Sequence, residues 1–283
     1  MYNDNNCLSI LIVNYNNGKY LHSCLGSVLS SDYTNLQIIV IDDGSDDDSK
    51  LVIEAQRLDL EKRCKGNLKI VYLDSNIGSG RAKAQALEFV TGNYCCFVDS
   101  DDYVHDNAFS KCMDKLIIDP NLSLVYTNAA KIDASNKLLG PLNYAKDGSN
   151  MLDDKVGFHL AIWSMKHYHE LSDKFNARLQ IAYDIDLYMK LEEVGNTCFI
   201  DEPLYYYRVH DRNISIGFDK LGNSYTERII SRWEAQKRRN IDDVKVLGYE
   251  LQTIFEKLKE QKLNKKEIIQ FVIDRVRKKI NRK

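Results

Sequence analysis

Short apolar runs recur along the first hundred residues, and each ends in a polar turn followed by a stretch of helical period. Leu8-Ser9-Ile10-Leu11-Ile12-Val13 is rich in β-branched residues and closes on Asn14-Tyr15-Asn16-Asn17-Gly18, the composition of a strand and its turn. Tyr20, Leu21, Leu25, Val28 and Leu29 then recur at helical spacing. A second run, Leu36 to Ile41, ends in Asp42-Asp43-Gly44-Ser45. Ser45 or Asp46 is placed there to cap a helix carrying Leu51, Val52 and Ala55. A third run, Leu68 to Leu73, ends in Asp74-Ser75-Asn76-Ile77-Gly78-Ser79-Gly80, and a helix is predicted from about Arg81 through Val90. The fourth run, Tyr94 to Val98, ends in Asp99-Ser100-Asp101-Asp102.

Strands that are nearly all apolar and alternate with helices predict an α/β fold, a mostly parallel central sheet with helices on both faces. Polar groups gather at the carboxyl ends of all four strands, the edge where open α/β sheets bind ligands. Downstream the pattern loosens. Leu122 to Thr127 reads as a strand, and 133–154 as a polar, turn-rich, mobile segment. Ile185, Tyr188, Met189 and Leu191 line one side of a helix that starts near Asp184 and Asp186. Phe199 to His210 reads as a strand running into a loop. Leu247, Leu251, Ile254, Phe255 and Leu258 mark one amphipathic helix, and Ile269, Val272, Ile273, Val276 and Ile280 another. The expected division is a main domain over 1–216 and a helical, basic extension over 217–283.

Composition narrows the function. The 39 basic and 41 acidic residues nearly cancel, which argues against a nucleic-acid partner. The seven cysteines are scattered, apart from the neighbours Cys95 and Cys96, and none has the spacing of a metal knuckle; reduced, mostly buried thiols of a cytoplasmic protein are expected. The first residues show no basic region and no apolar signal core. From Lys257 to Lys283, eleven basic residues stand against Glu260, Glu267 and Asp274, a net +8. Such a tail suits peripheral contact with an anionic inner membrane face, or packing of its apolar stripe on the main domain or a partner chain.

The acidic strand end Asp99-Ser100-Asp101-Asp102 concentrates repulsion that a divalent cation, Mn²⁺ or Mg²⁺, would relieve. The competing reading is an acidic turn with Asp99 or Asp102 capping the next helix. Gly78-Ser79-Gly80 lacks the third glycine of a dinucleotide fingerprint, and the chain has no Gly-Lys-Ser/Thr phosphate loop. Nicotinamide, flavin and P-loop chemistry are therefore disfavoured.

Six segments, taken in order, resemble family 2 glycosyltransferases: Val13-Asn14-Tyr15-Asn16, Val40-Ile41-Asp42-Asp43-Gly44-Ser45, Asn76-Ile77-Gly78 with Arg81, Val98-Asp99-Ser100-Asp101-Asp102, Asp184-Ile185-Asp186-Leu187 and Tyr207-Arg208-Val209-His210. The resemblance covers about residues 8 to 216 and implies the GT-A fold, a Rossmann-like sheet, and inverting transfer of a sugar from a nucleotide diphosphate donor, a UDP-sugar by this reading. It implies that Val13 belongs to the nucleotide-sugar site and that Tyr15 and Asp42 hold the nucleobase, Tyr15 stacking and Asp42 accepting from the base. Asn76, Gly78 and Arg81 would line the nucleotide pocket, Asp99 and Ser100 would contact ribose or donor sugar, and Asp101 with His210 would bind the metal. Asp184 would be the base that deprotonates the acceptor hydroxyl, with Asp186 as the fallback. Val13 stands where many relatives have proline, and Tyr183 where many have glutamate. His159, His167 and His169 form no recognisable metal set. The implied acceptor is a glycan or lipid-linked hydroxyl in surface polysaccharide synthesis, with a homo-oligomer left open. The alternatives are a non-catalytic nucleotide-sugar binding module of a larger complex and a nucleotidyltransferase.

Overall fold

The computed structural model describes residues 6–142, 152, 159–211, 213, 218–241, 245–246 and 249–250. β1 (Leu8–Asn14), β2 (Leu36–Asp42), β3 (Leu68–Tyr72) and β4 (Tyr94–Asp99) pair in parallel in the order β3-β2-β1-β4. The crossovers are α1 (Gly18–Ser30), α2 (Ser49–Arg63) and α3 (Ser79–Leu87). All seven residues of β2 are buried, as a strand covered on both faces requires. β3 is the partly exposed edge and carries the exposed Lys69, a charge that discourages further strand pairing.

Past β4 the sheet becomes mixed. β5 (Tyr103–Val104) follows the acidic loop, and α4 (Ala108–Ile118) leads to the long β6 (Leu122–Ile132). β7 (Leu138–Leu142) folds back on β6, so the start of the stretch predicted as mobile is a hairpin; its turn is set by Asn136 at φ +69° and by Asp133 accepting from Ser135 and Lys137. β8 (Ala161–Ser164) lies antiparallel between β4 and β6, α5 (Met165–Glu170) and α6 (Tyr183–Glu192) follow, and β9 (Asn196–Arg208) returns parallel to β6. The β6–β9 register slips where Asn128 meets Pro203, as expected for a residue that cannot donate to the ladder. β5 closes the far edge antiparallel to β9, giving the order β3-β2-β1-β4-β8-β6-β9-β5.

α7 (Phe218–Arg238) packs on α6. β10 (Lys245–Val246) pairs with β11 (Tyr249–Glu250), so Tyr249 and Glu250, inside the stretch predicted as a helix, are strand; Leu247 lies outside the described residues. Residues 251–283, and with them the basic tail and its predicted helices, lie outside the described residues. All seven cysteines are unbridged, five buried and two partly so. Among the described residues no helix is long and apolar enough to cross a membrane.

The register aligns the strand ends. Asn14 sits opposite Asp42, and Val13 opposite Asp99. The four polar turns therefore open on one edge of the sheet.

Candidate active site

The ends of β1 and β2 are locked to each other before any ligand is considered. Asn14 Nδ2 donates to Asp42 Oδ1 (2.8 Å) and Ser45 Oγ (3.2 Å), and Ser45 donates to Asp42 from its hydroxyl (2.6 Å) and its backbone N–H (3.1 Å). Asp42 is only 3% exposed. These three hydrogen bonds fix the orientation of its carboxylate at the turn and leave Oδ2 with further acceptor capacity. Asp43 turns the other way and accepts from the N–H groups of Ile77 (2.8 Å) and Gly78 (3.0 Å). Between them Gly44 has φ +70°, and a Cβ there would lie 2.6 Å from the Ser75 carbonyl carbon. Only glycine suits both the conformation and the approach. Tyr15 projects from this edge, 46% exposed, and Asn76 and Arg81 are also exposed. Gly78 at φ +92° sets the turn into α3. α2 is not capped by Ser45 or Asp46. It starts after Asp48, with Asp47 accepting from the Ser49 N–H at 2.9 Å.

The cation that α3 carries into the site is Lys83, two residues past Arg81. Its ammonium is buried and donates to Asp99 Oδ1 at 2.7 Å, with the Phe97 and Tyr183 ring centroids at 4.9 and 4.7 Å. Burial alone would depress an ammonium, but the charge of Asp99, the neighbouring Tyr183 and the hydrogen bond to Asp99 hold Lys83 above its ordinary value. Burial likewise pushes Asp99 up, and Lys83 more than reverses it, leaving Asp99 below the usual carboxylate range.

The three neighbours of Asp99 have separate tasks. Ser100 is buried and its hydroxyl accepts from Asn17 Nδ2 (3.0 Å), which ties the acidic loop to the turn after β1. Asp101 Oδ2 lies 3.0 Å from His210 Nε2. Asp102, 1% exposed, accepts the Arg208 N–H at 2.7 Å, and α4 starts instead after Asn107; the capping role considered for Asp102 is therefore not seen. Burial, with Asp101 and Asp99 adding repulsion, drives the Asp102 carboxyl well above the ordinary range.

Arg208 fixes the geometry of this corner. Its Nε donates to the Asp101 carbonyl (2.6 Å), its Nη1 to the Asp133 carbonyl (3.1 Å), and its guanidinium sits 4.7 Å over the Tyr20 ring. Asn213 accepts the His210 N–H (2.6 Å) and donates to the Arg208 carbonyl (2.9 Å), and the His210 ring lies 4.8 Å from Tyr20. One carboxylate and one imidazole, side by side at the cleft, are a donor set that suits Mn²⁺, with Mg²⁺ preferring oxygen alone. Among the described residues no group of three His, Cys, Asp or Glu side chains gathers around one point. Asp101 and His210 are the residues that would hold such a cation.

Asp184 stands in the first turn of α6 and lines a small pocket with Lys83, Asp99, His159, Tyr188 and Tyr205. Its Oδ1 accepts the Ile185 N–H at 2.7 Å. Asp186 points elsewhere. It is buried and pairs with Lys190 at 2.8 Å, which removes it as the fallback base. Lys83, His159 and Tyr205 are the residues around the site to which sequence reading gave no part, and Arg208 stands in the segment 207–210 without a role assigned from sequence. His159 stacks on Tyr205 at 5.2 Å, and burial lowers its pKa although Asp99 and Asp184 pull the other way. Lys83 did leave a signal, since Gly80, Lys83 and Ala86 share one helical face with the core.

A mostly parallel sheet whose carboxyl edge carries polar turns, an acidic strand end and a remote aspartate defines an α/β protein with its candidate ligand site at that edge. Comparison with known proteins gives the family. Residues 9–171 match the model of glycosyl transferase family 2, and the chain belongs to that family. It is 29% identical over 219 residues to the hyaluronan synthase of Pasteurella multocida, an alignment that covers 76% of this chain and 21% of the synthase. The chain thus spans about a fifth of that relative's length. The fold matches Staphylococcus aureus TarS 1–349 in complex with UDP-GlcNAc (TM-score 0.63, 19% identity, 79% of this chain and 66% of that one). It also matches the mannosyltransferase PcManGT of Pyrobaculum calidifontis in complex with GDP-Man and Mn²⁺ (TM-score 0.60, 17% identity, 82% and 64%). The architecture is the GT-A fold.

Proposed function

We propose that the chain transfers a sugar from a nucleoside diphosphate sugar, a UDP-sugar, to a hydroxyl of a glycan or lipid-linked acceptor in surface polysaccharide synthesis, with inversion at the anomeric carbon. The observation that carries this reading is the convergence of Asp99 and Asp184 on one pocket, with the Asp101–His210 pair at the same strand end. The hyaluronan synthase relative and the nucleotide sugars bound by TarS and PcManGT support the substrate class.

In this mechanism Tyr15 stacks on the base, and Asn76, Gly78 and Arg81 border the nucleotide. Asp43 holds the Ile77–Gly78 backbone in place, while Asp42 shapes the turn beneath Tyr15. Bound at Asp101 and His210, Mn²⁺ or Mg²⁺ would supply positive charge to the departing diphosphate. Asp99, kept ionised by Lys83, accepts hydroxyl hydrogen bonds from ribose or donor sugar. Asp184 takes the proton of the acceptor hydroxyl at its carboxylate, a step typically worth about 10²–10⁴ in rate. Its partner loops and the rings of Tyr188 and Tyr205 narrow the pocket and limit water. The basic segment 257–283 is the candidate for peripheral contact with an anionic membrane.

The test is incubation of the full chain with UDP-sugars, Mn²⁺ and oligosaccharide acceptors. Release of UDP together with glycosylated acceptor supports the proposal. Pyrophosphate released from a nucleoside triphosphate would instead indicate a nucleotidyltransferase, and nucleotide-sugar binding without turnover of any donor would indicate a binding module.

A further inference from the structure

The helix that bears Asp184 has no side-chain cap at its N-cap position. Its N-cap residue is Ala182, whose side chain has no acceptor, so the N–H groups at and before the helix start need partners from elsewhere. They find one carboxylate. Glu227 of α7 accepts from Gln180 N–H (3.0 and 3.1 Å to its two oxygens), Ile181 N–H (2.8 Å) and Ala182 N–H (3.0 Å).

The other end of α6 is held by the same partner helix with opposite charge. Arg238 forks onto Glu193 (2.8 and 2.9 Å), and Arg239 reaches Glu192 (2.8 Å), Glu193 (3.2 Å) and the Met189 carbonyl (2.7 Å). α7 therefore places a negative charge at the start of α6 and positive charges at its end, the signs that oppose the helix dipole.

The opposite side of the same segment rests on α3. A Cβ on Gly80 would stand 2.3 Å from the Leu179 carbonyl oxygen, so the backbone of the segment lies directly on that glycine. Ser79 and Tyr183 share a hydroxyl hydrogen bond at 2.9 Å. The backbone from Leu179 to Tyr183 is thus gripped between α3 below and Glu227 above, and Asp184 is the next residue.

From this geometry we infer that Glu227 is a positioning residue for Asp184: it clamps the start of α6 so that the Asp184 carboxylate faces the pocket. The inference rests on Asp184 acting as the base. It assigns the region beyond residue 216 a part in the reaction, because the clamp lies on α7. A carboxylate shared by three consecutive N–H groups resists replacement. Glutamine retains only one acceptor oxygen and brings an amide N–H₂ against donors; alanine retains none.

The experiment uses the full chain and four forms: wild type, Glu227→Gln, Glu227→Ala and Asp184→Asn, with the double variant Asp184→Asn/Glu227→Ala. Misplacement of a reacting group by about 1 Å costs on the order of 10²-fold, so Glu227→Ala should lower kcat by about that factor and Glu227→Gln by less. Donor KM and UDP binding should stay at wild-type values, which shows that the variants are folded. The double variant should be no slower than Asp184→Asn alone. Wild-type kcat in Glu227→Ala, when Asp184→Asn has lost activity, overturns the inference by itself. So does a Glu227→Ala loss that multiplies onto Asp184→Asn, or one that tracks a loss of UDP binding. Wild-type turnover in Asp184→Asn overturns the base assignment, and the inference with it.

Discussion

Lys83 Nζ lies 2.7 Å from Asp99 Oδ1, and this contact joins α3 to the end of β4 across the pocket. A lysine with its side chain 5% exposed and its amine between two rings is held by the one carboxylate it reaches. Asp99, in turn, keeps its charge on a pocket wall that it shares with Asp184 and His159 as well as with Phe97, Tyr188 and Tyr205.

Replacing Lys83 by Met leaves Asp99 without its cation at the pocket wall. The Asp99 side chain is 42% exposed, so water offsets part of the loss, and the expected destabilisation is about 1–2 kcal/mol. Donor KM should rise at least tenfold, because the carboxylate that contacts the donor is no longer oriented. Chemical denaturation and donor titration check both; wild-type KM would exclude Lys83 from donor recognition.

The pH dependence of stability carries a signature of Asp43. Burial raises its carboxyl above the ordinary value, the Ile77 and Gly78 N–H groups pull it down, and Asp42 adds to the rise. A carboxyl raised in the folded state contributes stability that is complete below its unfolded value, about 3.9, and that is lost as pH rises through the folded value. Asp43→Asn should flatten this slope on the alkaline side of the unfolded value. It should also weaken UDP binding, because one of the two backbone N–H groups of the Ile77–Gly78 turn loses its acceptor. Urea unfolding across that range, with UDP titration, measures both.

Arg208→Lys keeps the charge and loses the fork. The carbonyls of Asp101 and Asp133 lose their shared donor, and the flat stacking on Tyr20 is gone. The expected cost is about 2–3 kcal/mol of stability. The Mn²⁺ concentration needed for half-maximal activity should rise, because the Asp101 backbone is released. Metal titration of activity distinguishes this from a simple loss of fold.

Deletion of residues 262–283 addresses the tail. If it contacts an anionic surface, binding to vesicles containing anionic lipid at low salt should fall by at least tenfold, given about 1 kcal/mol per basic residue near such a surface. Unchanged vesicle binding would leave packing on the main domain or a partner chain as its role.

Much of this architecture is written in local pattern. β1, β2 and β4 are runs of apolar residues because both their faces are covered, and such runs are visible without partners. The polar turns that follow them mark the carboxyl edge for the same reason. What escaped is long-range. β8 is four residues and β5 only two, and each is a strand because of the neighbour it pairs with. Asp42 and Asp43 cannot be told apart by composition, yet one faces Ser45 and the other the Ile77–Gly78 turn. Lys83 shares the core face of α3 in sequence, but its partners Asp99, Phe97 and Tyr183 come from distant parts of the chain. Asp184 and Asp186 share a helix turn in sequence, and only the packing of Lys190 beside Asp186 separates their tasks.

The most direct test of the proposed transfer is the turnover of Asp184→Asn in the full chain with UDP-sugar, Mn²⁺ and acceptor. Transfer should fall by about 10²–10⁴, the usual contribution of a positioned base, while UDP affinity stays at the wild-type value. Turnover at the wild-type rate would contradict the account.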